Sequence, residues 1–131
     1  MNKVQAIISG GKDLYGIWIK DSLIYSAGET LEKLKENLRE AISLHIDAGG
    51  EIPDVMRGEY EIDYVFEISG LLRYYSQFLT YSAIGRLCDI NHKQLWNYAN
   101  GHRRASSKTA EKIAAGLHKF GDDLSHVRIS F

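Results

Sequence analysis

Residues 79–114, LTYSAIGRLCDINHKQLWNYANGHRRASSKTAEKIA, constrain the fold more than any other stretch, because their apolar spacing suits only short helices in sequence. Thr80 can cap a first helix by accepting from a free amide of its opening turn. Ile84, Leu87 and Cys88 give that helix an apolar face at i, i+3 and i+4. Asp89-Ile90 interrupts the pattern, and Asn91 is a good cap for a second helix. In that second helix Leu95, Tyr98 and Ala99 point inward, while His92, Lys93, Gln94 and Asn97 point outward. Gly101 follows Asn100, which suits a helix end needing a left-handed residue. Two helices joined by a short turn, with hydrogen-bonding side chains outward on the second, can set that face in a DNA major groove.

This spacing resembles the Cro and lambda-repressor type of helix-turn-helix, with no gap in register. In that family the Thr80 position starts the first helix, Ile90 is the apolar residue of the turn, and Gly101 ends the recognition helix. Gly85 stands where the family usually has Ala, and Asp89 where it usually has Gly. A glycine inside a helix costs roughly 1 kcal/mol relative to Ala but permits close packing. Asp tolerates the left-handed backbone expected at position 89 better than most residues. Candidate base-edge contacts are His92, Lys93, Gln94 and Asn97: Gln and Asn suit adenine, and Lys suits guanine. Arg103, Arg104 and Lys108 flank the end of the second helix as candidate phosphate contacts, giving affinity rather than specificity. Tyr81 can hydrogen-bond a phosphate at the start of the first helix. Trp96 lies beside the outer face, either touching a thymine methyl or sugar or packing against Arg103 or the tail.

Charge divides the chain in the same place. From Ser82 onward eight Lys and Arg face four Asp and Glu, a net charge of +4, and the overall charge of -1 leaves -5 for the residues before it. An acidic half joined to a basic half points to two partners, one of them a polyanion. A hydrophobic content of 44% supplies a packed core, so disorder is not expected. Cys88 is the only cysteine, so no internal disulfide can form, and its place in the helix pattern predicts burial. No apolar run approaches the roughly 18 residues of a membrane span, and the first residues do not suit a signal peptide. A reducing cytoplasm is the expected location.

The first half alternates like a sheet. Residues 3–9, 15–20 and 23–27 are three short strands with tight connections, predicting an antiparallel meander. Gly10-Gly11-Lys12-Asp13 lacks the upstream Gly and the Ser or Thr of a phosphate loop and precedes a strand, so it is expected to be a hairpin turn. Thr30 caps a helix over residues 31–48, with Leu31, Leu34, Leu38, Ala41, Ile42 and His45 inward and Leu44 and Ile46 widening the stripe. His45 is expected to be a packed histidine, since no second His or Cys stands at metal spacing. Gly49-Gly50 ends this helix, and residues 51–58 form a loop.

Residues 59–68 make the cleanest strand. Tyr60, Ile62, Tyr64, Phe66 and Ile68 fall on one face and Glu59, Glu61, Asp63, Val65 and Glu67 on the other. The acidic face is either a solvated sheet surface or a docking surface for a basic protein. Ser69 is expected to cap the next helix, over residues 70–78, with Leu71, Leu72, Tyr75, Phe78 and Leu79 buried. Ser106 or Ser107 caps a last helix carrying Ala110, Ile113, Ala114, Leu117 and Phe120 and ending at Gly121. The tail alternates Val127, Ile129 and Phe131, as a last strand or a hydrophobic clasp for a dimer.

Three strands, a helix opened by GETLEKLKENLREAISLHID, another strand, then the helix-turn-helix: this order resembles the HicB-type antitoxins of bacterial type II toxin–antitoxin systems. Residues 25–31, YSAGETL, look like the strand-to-helix junction of that family. The resemblance implies an α+β fold. A small antiparallel sheet with one covering helix, a degraded ribonuclease-H-like domain without activity, would span 1–67. An all-α DNA-binding domain would span 68–131. It implies an antitoxin, not an enzyme, that occludes a small basic mRNA-cleaving toxin of the HicA type and represses its own operon by binding operator DNA. Glu59, Glu61 and Asp63 are the candidate toxin contacts. No cofactor or metal is implied, and a homodimer or higher even-numbered assembly is expected. The rival expectations are a stand-alone regulator with a ligand-sensing first domain and an active nuclease. The nuclease needs acids converging on two metals, and the first three strands supply Asp13 and Asp21 only in turns.

Overall fold

The structure, a computed structural model, describes residues 2–11 and 13–131. Strands β1 (Asn2–Gly10), β2 (Tyr15–Ile19) and β3 (Tyr25–Gly28) form the meander, antiparallel at both junctions. Strict alternation buries Val4, Ala6, Ile8, Tyr15, Ile17 and Ile19 on one face. In the β1–β2 turn the Gly11 amide donates to the Leu14 carbonyl at 2.8 Å. Lys12, and with it the phosphate-loop question, lies outside the described residues.

Helix α1 (Leu31–Asp47) covers the buried face. Its first turn is capped as the sequence predicts, Thr30 Oγ1 accepting from the Lys33 amide at 3.1 Å. Leu34, Leu38 and Ile42 are its buried residues. Leu44 and Ile46 are not part of that stripe: they are 62% and 46% exposed. Leu44 stands roughly 200° round the helix from Ile42, and Ile46 lies a turn beyond the last buried position. His45 is packed, its Nε2 lying 2.7 Å from the Glu51 carbonyl oxygen and tying the helix end to the loop after it. A carbonyl only accepts, so Nε2 carries the proton. A short 3₁₀ turn, Asp54–Met56, then buries Met56.

Strand β4 (Tyr60–Phe66) lies beside β1 and runs parallel to it, pairing Val4 with Ile62, Ala6 with Tyr64 and Ile8 with Phe66. The sheet order is β3-β2-β1-β4, so the sheet is mixed rather than wholly antiparallel as expected. The cause is α1, a crossover long enough to return the chain to the end at which β1 begins.

Four helices follow: α2 (Ile68–Tyr75), α3 (Tyr81–Cys88), α4 (His92–Ala99) and α5 (Ser107–Ser125). They surround a second apolar cluster of Leu72, Ile84, Cys88, Leu95, Tyr98, Ala99 and Ile113, separate from the sheet core. Helix α2 belongs to both. Leu72 is fully buried in the helical cluster, while the opposite side of α2 rests on the end of β1. A Cβ on Gly70 would stand 2.5 Å from the Ile8 carbonyl oxygen, so only glycine permits this approach. Ser69 does not cap α2. The cap position is Glu67, without a side-chain bond, and Ser69 Oγ instead accepts from the Gly10 amide at 3.0 Å. Arg73 donates to the Gly11 carbonyl and lies over the Tyr15 ring at 5.1 Å. Burial pushes the Tyr15 hydroxyl above its ordinary range, against the opposing effect of Arg73.

Tyr75 and Phe78, expected inside, are 38% and 67% exposed. Helix α2 stops at Tyr75, so Phe78 leaves the helical stripe and instead packs edge-on to Tyr74 at 5.7 Å. Helix α5 runs past Gly121, its expected end, to Ser125. A Lys119–Asp123 ion pair of 3.0 Å spans the glycine at i, i+4. Residues 127–131 form no strand, and Val127 and Ile129 are 61% and 72% exposed.

Candidate nucleic-acid interface

Helices α3 and α4 are held at a fixed angle by backbone chemistry in the turn between them. Thr80 Oγ1 accepts from the Ala83 amide at 3.0 Å, which fixes the start of α3. Asp89 closes α3 in the left-handed conformation, φ 55° and ψ 52°. The Ile90 amide donates to the Gly85 carbonyl at 3.0 Å, folding the turn back on the helix. A Cβ on Gly85 would meet the Ile90 carbonyl oxygen at 2.5 Å, so the turn closes this tightly only over glycine. Lys112 of α5 donates to the Asp89 carbonyl at 2.9 Å, pinning the turn from behind. Asn91 Oδ1 accepts from the Lys93 amide at 2.8 Å and starts α4. Each cap is worth on the order of 1 kcal/mol.

The inner sides of both helices fill the second core. Ile84 and Leu95 are fully buried there. Cys88 is buried too, with Sγ donating to the Ile113 carbonyl at 3.4 Å. Burial pushes its thiol above the ordinary range, opposed by the Lys112 charge. With the inner stripe occupied, His92, Lys93 and Gln94 are left exposed on the first turn of α4, and Asn97 half-exposed one turn on.

Tyr81, His92, Lys93, Trp96 and Asn97 line one hollow of about 370 Å³. Four of the candidate residues, from two helices, therefore meet at one place. Gln94 is exposed on α4 outside that hollow. Trp96 stacks on His102, ring centroids 5.2 Å apart and planes inclined by 22°, not on Arg103 or the tail. That partner was not legible in the sequence. It depends on the chain reversing after α4, where Gly101 has φ 74° and the His102 and Arg103 amides both donate to the Asn97 carbonyl.

Arg103 and Arg104 are exposed, and both also line a cleft of about 850 Å³ between the helical unit and the sheet. Trp18, Phe66 and Leu71 form part of its wall. Lys108 is exposed on the first turn of α5. Arg86 is a further exposed cation on α3 beside the turn, and the apolar spacing that located the other residues gave no signal for it.

The second candidate surface lies on β4 and the bend before it: the strand spans Tyr60–Phe66 and not residues 59–68, so Glu59 precedes it and Ile68 opens α2. Glu59, Glu61 and Asp63 are all exposed. Glu61 and Asp63 pair across the ladder with Lys3 and Gln5, on the face turned away from α1. Among the described residues no cluster of three or more His, Cys, Asp and Glu is placed to hold a metal ion, and no helix is long and apolar enough to cross a membrane.

No family model matches the chain, and no curated protein or solved structure matches it.

Proposed function

We propose that the chain is an antitoxin with two partners, which neutralises a small basic mRNA-cleaving toxin of the HicA type and represses its own operon through a helix-turn-helix. The observation that carries the DNA-binding half is the outward row His92, Lys93, Gln94 and Asn97 on a capped α4, set at a fixed angle to α3. In this reading α4 enters the major groove, Gln94 and Asn97 read adenine edges, and Lys93 reads guanine. Tyr81, Arg103, Arg104 and Lys108 hold phosphates, and the net charge of +4 from Ser82 onward supplies the long-range attraction. The toxin-binding half rests on the exposed carboxylates of Glu59, Glu61 and Asp63 and on the net charge of -5 up to Tyr81.

A second reading, a stand-alone regulator with a ligand-sensing first domain, draws on the cleft of about 850 Å³ between the sheet and the helical unit. A small molecule there would touch Trp18 on one side and Arg103 on the other.

The test is a fluorescence titration on operator and random duplexes at one salt concentration. Asn97→Ala is expected to weaken operator binding by about 1–3 kcal/mol, the cost of a lost base contact. Random-duplex affinity should stay nearly constant. Equal loss on both duplexes would remove Asn97 from base reading.

A further inference from the structure

The sheet has an open edge at β4, and the tail after α5 forms no strand and has chemistry that matches that edge. Its first two residues still close the helix, the His126 and Val127 amides donating to the Asp123 and Leu124 carbonyls at 3.2 Å, and pairing with β4 would exchange those bonds for ladder bonds. We infer that residues 126–131 of one copy of this chain add as a strand to the β4 edge of a second copy, and reciprocally, so that the chain is a strand-exchanged dimer.

The edge is chemically specific. Among the described residues β4 pairs only with β1. The Glu67 amide donates to the Ile8 carbonyl at 2.8 Å. In a parallel ladder the inward and outward residues alternate, so the backbone groups of Ile62, Tyr64 and Phe66 point to the open side. This edge carries none of the Lys or Pro residues that commonly protect such strands.

A second β4 does not fit there. Antiparallel registers of β4 on itself set Glu61 against Asp63, Asp63 against its own copy, or Glu61 against Glu67. Like charges directly opposite one another destabilise a ladder.

The tail fits in both respects. Val127, Ile129 and Phe131 alternate with His126, Arg128 and Ser130, and Val127 and Ile129 are largely exposed. Opposite residues on neighbouring strands point to the same face. An antiparallel register with Arg128 opposite Asp63 therefore sets Val127 against Tyr64 and Ile129 against Ile62. It extends the apolar face and joins the tail cation to the acidic face at once.

The occupant comes from another copy: in the structure the chain's own tail forms no strand, and Val127 and Ile129 stay largely exposed instead of pairing with β4. Ala110, Glu111 and Ala114, in the first half of α5, line the cleft against the sheet. Ser125 lies about eleven residues beyond Ala114, roughly 17 Å along the helix axis. Reciprocal exchange between two copies closes on a two-fold axis.

The inference goes beyond the antitoxin reading and does not rest on it. It is tested on the full chain alone, with no toxin or DNA present, by sedimentation equilibrium over a wide concentration range. The chain of 14.8 kDa is expected to sediment as a dimer of about twice that mass. Asp63→Arg and Arg128→Asp, both at exposed positions, should each weaken the dimer about tenfold or more, and the two together should restore it to within about threefold. Ile129→Lys should weaken it as well. A monomeric wild type would overturn the inference. So would a dimer indifferent to Asp63→Arg, or single losses that the double substitution fails to rescue.

Discussion

Gly85 shows how a single atom fixes the candidate DNA-reading geometry. Alanine would add helix propensity of up to about 1 kcal/mol. Its Cβ would also stand 2.5 Å from the Ile90 carbonyl oxygen, a backbone atom that cannot rotate away. Overpacking against a fixed group costs about 1–3 kcal/mol, so the clash outweighs the propensity. Gly85→Ala is therefore expected to lower the stability by up to about 2 kcal/mol, measured as a lower denaturant midpoint with an unchanged slope. An equal or higher midpoint would mean that the turn can move outward. The tight turn was legible from its residues: an apolar break, an Asp able to take a left-handed backbone, an Asn cap. The Trp96–His102 stack was not, because apolar periodicity ends at the last turn of α4 and says nothing of where the reversed chain returns.

At the scale of elements, α2 joins the two apolar cores. Its Leu72 faces the helices, and its Ser69, Gly70 and Arg73 face β1. A serine ahead of an apolar run looks like a cap, and only the Gly10 amide, far away in sequence, shows otherwise. Ser69→Ala is expected to leave that partly buried amide unsatisfied and to cost about 1 kcal/mol. Hydrogen exchange separates the two roles. Loss of a tether speeds exchange at Gly10, whereas loss of a cap would speed it at the first turn of α2. Faster exchange at Leu71 and Leu72 with Gly10 unchanged would restore the capping role. Most elements were legible, because strands alternate and Thr30, Thr80, Asn91 and Ser106 all cap the helices that follow them. Apolar periodicity misplaces Tyr75, on the last turn of α2, and Phe78, past its end. Gly121 signals a helix end in the sequence, but the Lys119–Asp123 ion pair spans it and α5 continues to Ser125.

For the whole molecule, the acidic sheet unit passes into the basic helical unit with only Glu67 between β4 and α2. The two candidate surfaces are therefore mechanically close. A protein bound along β4 would press on the strand that leads into α2, and through Leu72 on the core behind α3 and α4. That arrangement gives the proposed toxin a route to alter DNA binding. Order of elements and charge pattern were legible in the chain. The parallel placement of β4 and the cleft beside Arg103 were not, since both depend on how distant segments meet.

The central claim, two partners on one chain, is tested most directly by an mRNA-cleavage assay. The protein used is a purified small basic mRNA-cleaving toxin of the HicA type, titrated with the chain in purified form. Cleavage is expected to stop near stoichiometric addition, and Glu59→Lys with Glu61→Lys, which leave the Asp63–Arg128 pair intact, should require a large excess to reach the same end. Cleavage that persists at saturating wild-type chain would contradict the account.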